Sequence, residues 1–294
     1  MSDIYKMIRT GFVRVNGKKV KENHRLVEGD VLEIRIDESE LAAGKSEDTG
    51  AQIGLEKTDF YRRNLKIIYE DEAILACDKP PHLVVHPGTN HVSGATLIDL
   101  VKCYIALHPE KNKDADPVLV HRLDRDTSGI ILIAKNKGVV RILHEGLRGH
   151  EMTKQYVALC HGKPKTAKGI VEVNLAKTLE VNAGTKMSVE EEGMLSKTAF
   201  TVIESTSHIS KMKLELFTGR THQIRVHMAH IGCPVLGDVR YGNPALDAEM
   251  FKHAGINKRL YLHACLLSFE HPLHGKNITI TVPLPDEFSK AMAV

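Results

Sequence analysis

Residues 117–134 run Pro117-Val118-Leu119-Val120-His121-Arg122-Leu123-Asp124-Arg125-Asp126-Thr127-Ser128-Gly129-Ile130-Ile131-Leu132-Ile133-Ala134. A dense polar knot lies between two apolar runs. Short apolar runs bounded by turn residues have the character of buried strands. The knot is then a loop pinned to a core at both ends, and a rigid scaffold fixes the side chains of such a loop. From these residues alone two readings stand level. One is a catalytic loop offering Asp124 or Asp126. The other is a turn in which Asp and Arg pair locally and Thr127-Ser128-Gly129 closes the chain.

Outward from the knot, the pattern predicts strands with interspersed helices. Downstream, 136–148 has helical spacing, with Val139, Val140, Leu143 and Leu147 on one side. Met152 to Gly162 alternates as a strand, with Lys154, Tyr156 and Ala158 on one face and Gln155, Val157 and Leu159 on the other. Residues 163–197 are polar and turn-rich, a hairpin excursion, and 198–203 and 211–217 are two more strands. A second polar knot follows, Thr218-Gly219-Arg220-Thr221-His222-Gln223-Ile224-Arg225-Val226-His227. Here Thr221 is placed to cap a helix on which Ile224, Met228 and Ile231 share a face. Residues 245–255 suit a short helix, and 259–264, 266–268 and 278–282 suit strands. Upstream, 65–79 predicts strand, turn, strand, and 96–107 predicts a helix. No βαβ repeat is present. The expectation is an α+β fold with a mixed, largely antiparallel central sheet and flanking helices and loops.

The chain begins differently. Phe12 to Val20 holds an Asn16-Gly17 pair between strand-like runs, a strong hairpin signal. Residues 25–34 add a turn and a strand, and 4–9 have helical spacing. Lys6, Arg9, Arg14, Lys18, Lys19, Lys21 and Arg25 face one acid, Glu22, across this stretch. That density suits contact with phosphates. Residues 38–58, rich in Glu, Ala, Gly, Ser and Asp, are expected to be a linker. The organisation is then a basic unit over 1–37, a linker over 38–58 and a catalytic domain over 59–294.

The totals exclude several classes. The 294 residues carry a net charge of only +3, so affinity for a nucleic acid must come from local clusters. Five scattered cysteines, with no CxxC pair, suit reduced thiols. No apolar run approaches the ~20 residues that cross a bilayer, and no signal peptide is evident, so a cytoplasmic protein is expected. Dinucleotide and P-loop glycine motifs and GxSxG are absent. His222, His227 and His230 lie close together, yet no HExxH-like signature or carboxylate cluster completes a metal site. Neither a metal nor a cofactor is expected.

What remains is two Arg-rich knots and a strand tyrosine. A carboxylate beside an arginine stays ionised and can attack a carbon that bears a leaving group. One carboxylate without a second as acid suits a leaving group that needs little protonation. Uracil, whose departing ring delocalises negative charge, is such a group.

The set His121-Arg122-Leu123-Asp124 with Thr127-Ser128-Gly129, Lys154-Gln155-Tyr156-Val157-Ala158, the knot 218–227, 232–242 (G-x-P-x-x-G-D-x-x-Y-G) and 259–264 (R-L-Y-L-H-A) resembles the RluA family of RNA pseudouridine synthases. The front unit resembles an S4 RNA-binding domain lacking its first helix. The resemblance implies a pseudouridine synthase fold and an isomerase that breaks N1–C1′ of a uridine and joins C5 to C1′ without cofactor. It implies Asp124 as catalytic carboxylate and Arg220 as the cation that pairs with it. Tyr156 would lie under the uracil and serve as base, Arg122 would fill the stack left by the flipped uridine, and Ile224 would wall the base. Asp126 would serve the loop. The implied partner is RNA: most similar are members acting on large-subunit (23S) ribosomal RNA, with transfer RNA as the alternative substrate. A monomer is expected. A non-catalytic RNA-binding or ribosome-assembly factor is the competing class.

Overall fold

A computed structural model describes residues 13–20, 29–34, 64–86, 96–180 and 184–293. The chain divides into two units, Met1–Gln52 and Ile53–Val294. In the first, β1 (Val13–Val15), β2 (Lys18–Lys19) and β3 (Leu32–Ile34) form an antiparallel sheet in the order β2-β1-β3. Asn16 and Gly17 both take positive φ, 50° and 74°, the geometry of a tight hairpin turn. The Asn16 amide then donates to Asp30 (2.8 Å) and its carbonyl accepts from Val31 N (2.9 Å), tying the turn to the third strand. The expected hairpin and third strand are both present. Lys18 and Lys19 are exposed. The helix expected over 4–9, with Lys6, Arg9, Lys21 and Arg25, and the linker over 38–58 lie outside the described residues, as does the side chain of Arg14.

The second unit is built on one mixed sheet: β4 (Ile67–Glu70), β5 (Ile74–Lys79), β6 (Val118–Leu119), β7 (Ser128–Ala134), β8 (Thr153–His161), β9 (Lys168–Glu180), β10 (Gly184–Val189), β11 (Met194–Ser205), β12 (Ile209–Leu216), β13 (Leu262–Glu270) and β14 (Asn277–Thr281). The order is β10-β9-β11-β12-β8-β13-β7-β5-β4, with β14 on β13 and β6 on β7. Among the described residues, the β7–β13 pair is parallel and the other pairs are antiparallel. The α+β architecture expected from the sequence is the one observed.

All seven residues of β7 are buried, and they serve two cores. Ile131 and Ile133 pack toward α1 (Leu97–Leu107); Ile130, Leu132 and Ala134 pack toward α2 (Lys137–Arg148). Strand alternation does the sorting, since successive side chains leave opposite faces. In β8 it sends Tyr156 and Ala158 to the first core and Val157 and Leu159 to a third, as the spacing predicts. Both helices start on side-chain caps: Thr96 N donates to Asp99 Oδ2 (2.9 Å), and Asn136 Oδ1 accepts from Val139 N (2.9 Å). Among the described residues the remaining helices are α3 (Gln223–His230), α4 (Pro244–Ala254) and α5 (Asp286–Met292).

Three local expectations change. Residues 163–197 do hold a hairpin, β9 with β10, but it is made of long strands and is followed by the start of β11 rather than by turn-rich chain. Residues 262–264 and 266–268 belong to one strand, β13, whose register shifts between Ala264 and Leu266, while Arg259, Leu260 and Tyr261 lie ahead of it and not in a strand. The residue before α3 is His222 rather than Thr221, at φ 54°, and its side chain makes no capping bond. The seven-residue α5, which buries Phe288 and Ala291, has no counterpart in the sequence reading.

Candidate active site

The parallel junction of β7 and β13 sets the site. Gly129 lies opposite Ala264, which on its other side pairs with Tyr156 of β8. Gly129 has φ 113°, and a Cβ there would sit 2.2 Å from Ala264 O. Only glycine permits this approach. It seats the loop that ends at Ser128 on β13, one strand away from the strand that carries Tyr156.

The loop is braced from beneath. Lys79 is fully buried at the end of β5. Its ammonium donates to three carbonyls, Pro80 (2.9 Å), Leu83 (2.9 Å) and Arg125 (2.8 Å). Burial pulls its pKa down to about 7. Thr127 N returns to Asp124 O (3.2 Å) and closes the turn. Asp126 is held by Arg125 (3.0 Å) and His82 (2.8 Å). Burial opposes its charge, but these hydrogen bonds outweigh it and lower its pKa. Asp126 thus serves the loop. His82 thereby ties the 80–86 segment to the polar knot.

Asp124 faces the second knot, and its cation is Arg225, not Arg220. Arg225 Nη1 lies 3.1 Å from Asp124 Oδ2. The same guanidinium clasps Asp238 with two further bonds, Nε–Oδ2 at 2.7 Å and Nη2–Oδ1 at 2.8 Å. Arg225 and Asp238 are both buried. Burial works against the arginine's charge, but Asp238 and then Asp124 more than offset it and raise its pKa. Asp238 is likewise penalised by burial, yet Arg225 and the amides of Arg240 and Tyr241 lower its pKa.

Arg220 is directed elsewhere by Gln223. The Gln223 carbonyl accepts from Thr218 Oγ1 (2.7 Å) and Arg220 N (3.0 Å), and its amide donates to Lys197 O and Thr198 Oγ1, both at 3.0 Å. That clamp fastens the turn to β11, where Arg220 Nε donates to Leu195 O (3.4 Å). Arg225, by contrast, lies on α3, whose Ile224 and Met228 are anchored in the first core.

Asp124, Tyr156, Arg220, Arg122 and Ile224 all line one cleft of about 720 Å³. Its cationic walls are Arg122, Arg148, Lys154, Arg220 and Arg225, and among the described residues Asp124 is its single carboxylate. Arg122 is exposed, Ile224 is buried at its wall, and Tyr156 is buried at its floor. Burial, aided by the charge of Asp124, raises the Tyr156 pKa and keeps the phenol protonated. His227 is not part of this cleft's lining: its Nε2 donates to Ser196 Oγ (2.7 Å), whose hydroxyl donates on to Val173 O. The sequence reading missed Arg225, Asp238, His222 and Tyr241 as site residues, although all four lie in the motifs it quoted.

A cation-lined cleft with one ion-paired carboxylate above a buried tyrosine suits an anionic polymer. The sequence profile described as RNA pseudouridylate synthase matches residues 73–230. The chain belongs to the RNA pseudouridylate synthase family. The synthase is 36% identical over 291 residues to the ribosomal large subunit pseudouridine synthase C of Haemophilus ducreyi, covering 99% of this chain and 86% of the relative. It is 35% identical over 291 residues to the protein of the same description from Escherichia coli strain K12, covering 99% and 87%. Among solved structures, human RNA pseudouridylate synthase domain containing 4 shares the fold, with a TM-score of 0.64 over 80% of this chain and 94% of its own at 23% identity. Human RNA pseudouridylate synthase domain containing 1 gives 0.58 over 75% and 83% at 26% identity. The synthase is an isomerase of uridines in RNA.

Proposed function

We propose that this synthase converts uridines of large-subunit ribosomal RNA to pseudouridine, with Asp124 as the catalytic carboxylate. The observation that carries the reading is the 3.1 Å pair between Asp124 and Arg225 inside the cation-lined cleft. Arg225, itself locked by Asp238, fixes the orientation of the carboxylate. The names of the two curated relatives support the ribosomal substrate.

The uridine must leave its stack before its glycosidic carbon is accessible. Exposed Arg122 is suited to the vacated gap, since guanidinium is planar and cationic. The uracil then lies over Tyr156, with Ile224 as a wall. Asp124 acts on the sugar and the N1–C1′ bond breaks, the electron pair leaving with the ring. The freed uracil turns, C5 bonds to C1′, and the C5 proton is transferred to N1, so that product and substrate are isomers. Raised as its pKa is, Tyr156 is better suited to stacking than to acting as a free phenolate. Arg220, Arg148 and Lys154 are placed for backbone phosphates.

The S4-like front unit, 1–37, joined through a linker over 38–58 to the catalytic domain over 59–294, adds RNA contacts through Lys6, Arg9, Arg14, Lys18, Lys19, Lys21 and Arg25. The synthase works as a cytoplasmic monomer.

Tritium release from RNA carrying 5-tritiated uridine tests the chemistry: Asp124→Asn abolishes release while RNA binding persists, and retained turnover in that variant overturns the role of Asp124. Mapping pseudouridines in cells lacking the protein tests the substrate. Sites lost from large-subunit ribosomal RNA support the reading; sites lost only from transfer RNA replace it.

A further inference from the structure

We infer that His222 is a positioning residue for the Asp124 carboxylate, with Tyr241 fixing its ring so that Nε2–H faces Asp124. The inference rests on the reading of Asp124 as the catalytic carboxylate. His222 lies in the wall of the cleft between these two partners. Its Nδ1 is 2.8 Å from the Tyr241 hydroxyl, and its Nε2 is 3.8 Å from Asp124 Oδ2.

The hydrogen-bond order around Tyr241 selects the tautomer. Met187 N donates to the Tyr241 oxygen (3.1 Å), leaving the hydroxyl proton free to go to His222 Nδ1. A neutral imidazole that accepts at Nδ1 carries its proton on Nε2, the atom turned toward Asp124. Burial lowers the His222 pKa, and the neighbouring charges of Arg225 and Arg240 act in the same sense against Asp124 and Asp238. The ring is thus neutral when it faces the carboxylate.

The carboxylate then has two guides that differ in kind. Arg225 supplies charge from the α3 side; His222 supplies a directional N–H. At 3.8 Å the contact is too long for a hydrogen bond, and an approach of roughly 1 Å makes it one. The backbone bears the cost of this placement. His222 has φ 54°, a region that residues with side chains rarely occupy, and it starts α3 without a side-chain cap. Tyr241 is also packed against the Arg225 guanidinium, 5.1 Å from ring centroid to Cζ, so both guides of Asp124 share one support.

Two isosteres separate the proposal from a merely structural role. Gln places its amide nitrogen near the Nε2 position, facing Asp124. Asn places its amide near the Nδ1 position, facing Tyr241, and is the better of the two at positive φ. Tritium release under saturating RNA is expected to stay within ~3-fold of wild type in His222→Gln, and kcat to fall ~10–100-fold in His222→Asn with KM within about twofold, the loss expected of a hydrogen bond to a charged group. Tyr241→Phe is expected to lower kcat by about 3–10-fold at unchanged KM through loss of tautomer control. Melting curves for each variant separate a folding loss from a catalytic one. His222→Asn equalling or exceeding His222→Gln, or both matching wild type, overturns the proposal. Asp124→Asn, run alongside, reports independently on the reading beneath it: turnover there fails that reading, whereas the ranking of the His222 variants fails only this one.

Discussion

Asp238 holds Arg225 through two hydrogen bonds, at 2.7 and 2.8 Å, and leaves one guanidinium nitrogen for Asp124. The arginine therefore acts as a rigid bridge rather than as a mobile cation. Removing one partner of a buried pair strands the other charge and costs about 3–5 kcal/mol. Asp238→Asn is expected to lower the melting temperature and to reduce turnover, although Asp238 does not line the cleft. Arg225→Lys keeps the charge but cannot fork across two carboxylates, and a kcat loss of at least ~100-fold is expected. Thermal melts and tritium release measure both.

Arg220 supplies the contrast. Because Gln223 fastens its turn to β11 and Asp124 is already paired, Arg220→Ala is expected to leave kcat within a few-fold and to raise KM by about 10-fold, the pattern of lost uniform binding. A kcat collapse equal to that of Arg225→Lys would contradict the division of labour between the two arginines.

Gly129→Ala tests the strand junction. A methyl group would meet the Ala264 carbonyl at 2.2 Å from a backbone at φ 113°. Relief requires β7 and β13 to part, and a loss of about 3 kcal/mol or more is expected. Urea unfolding measures it. Variant enzyme that still folds should show reduced kcat, since the junction sets the spacing across β13 between the Asp124 loop and Tyr156.

Stability should fall between pH 6.5 and about 4. His121, His227 and His263 each have a pKa pulled down to about 4, burial being the first cause in every case. In that window the unfolded chain takes up protons that the native state refuses. Stability therefore declines as pH falls, by up to ~1.4 kcal/mol per pH unit for each histidine. His227→Gln removes one of the three, and urea melts at pH 7.5, 6 and 5 should show a shallower decline.

Lys18→Gln with Lys19→Gln removes two exposed cations from the front hairpin. If they meet phosphates, the slope of log affinity against log salt should shrink by about 1–2, as neutralised phosphates release fewer counterions. Turnover at saturating RNA should be unchanged. Filter binding across a salt series measures the slope.

Much of this molecule is legible in its residues one after another. The apolar run that follows the knot is a strand because a buried strand needs nothing but side chains apolar on both faces, and β7 is buried throughout. The faces of β8 follow from a period of two, which places Tyr156 inward whatever its neighbours do. The Asn16-Gly17 turn follows from two residues that tolerate positive φ. Each is a local property.

The partner of Asp124 is not. Arg220 and Arg225 stand five positions apart in one motif, and nothing in their spacing ranks them. The choice falls to contacts made across the fold: Gln223 draws Arg220 toward β11, while Ile224 and Met228 seat α3 in the core and carry Arg225 to Asp124, 101 positions away. Asp238 and Tyr241 enter the site for the same reason, through a loop whose path depends on what packs around it. Sequence spacing determines which side of a strand or helix a residue occupies; only the packed fold determines what that side meets, because the direction of a long side chain is set by the neighbours that exclude its other rotamers.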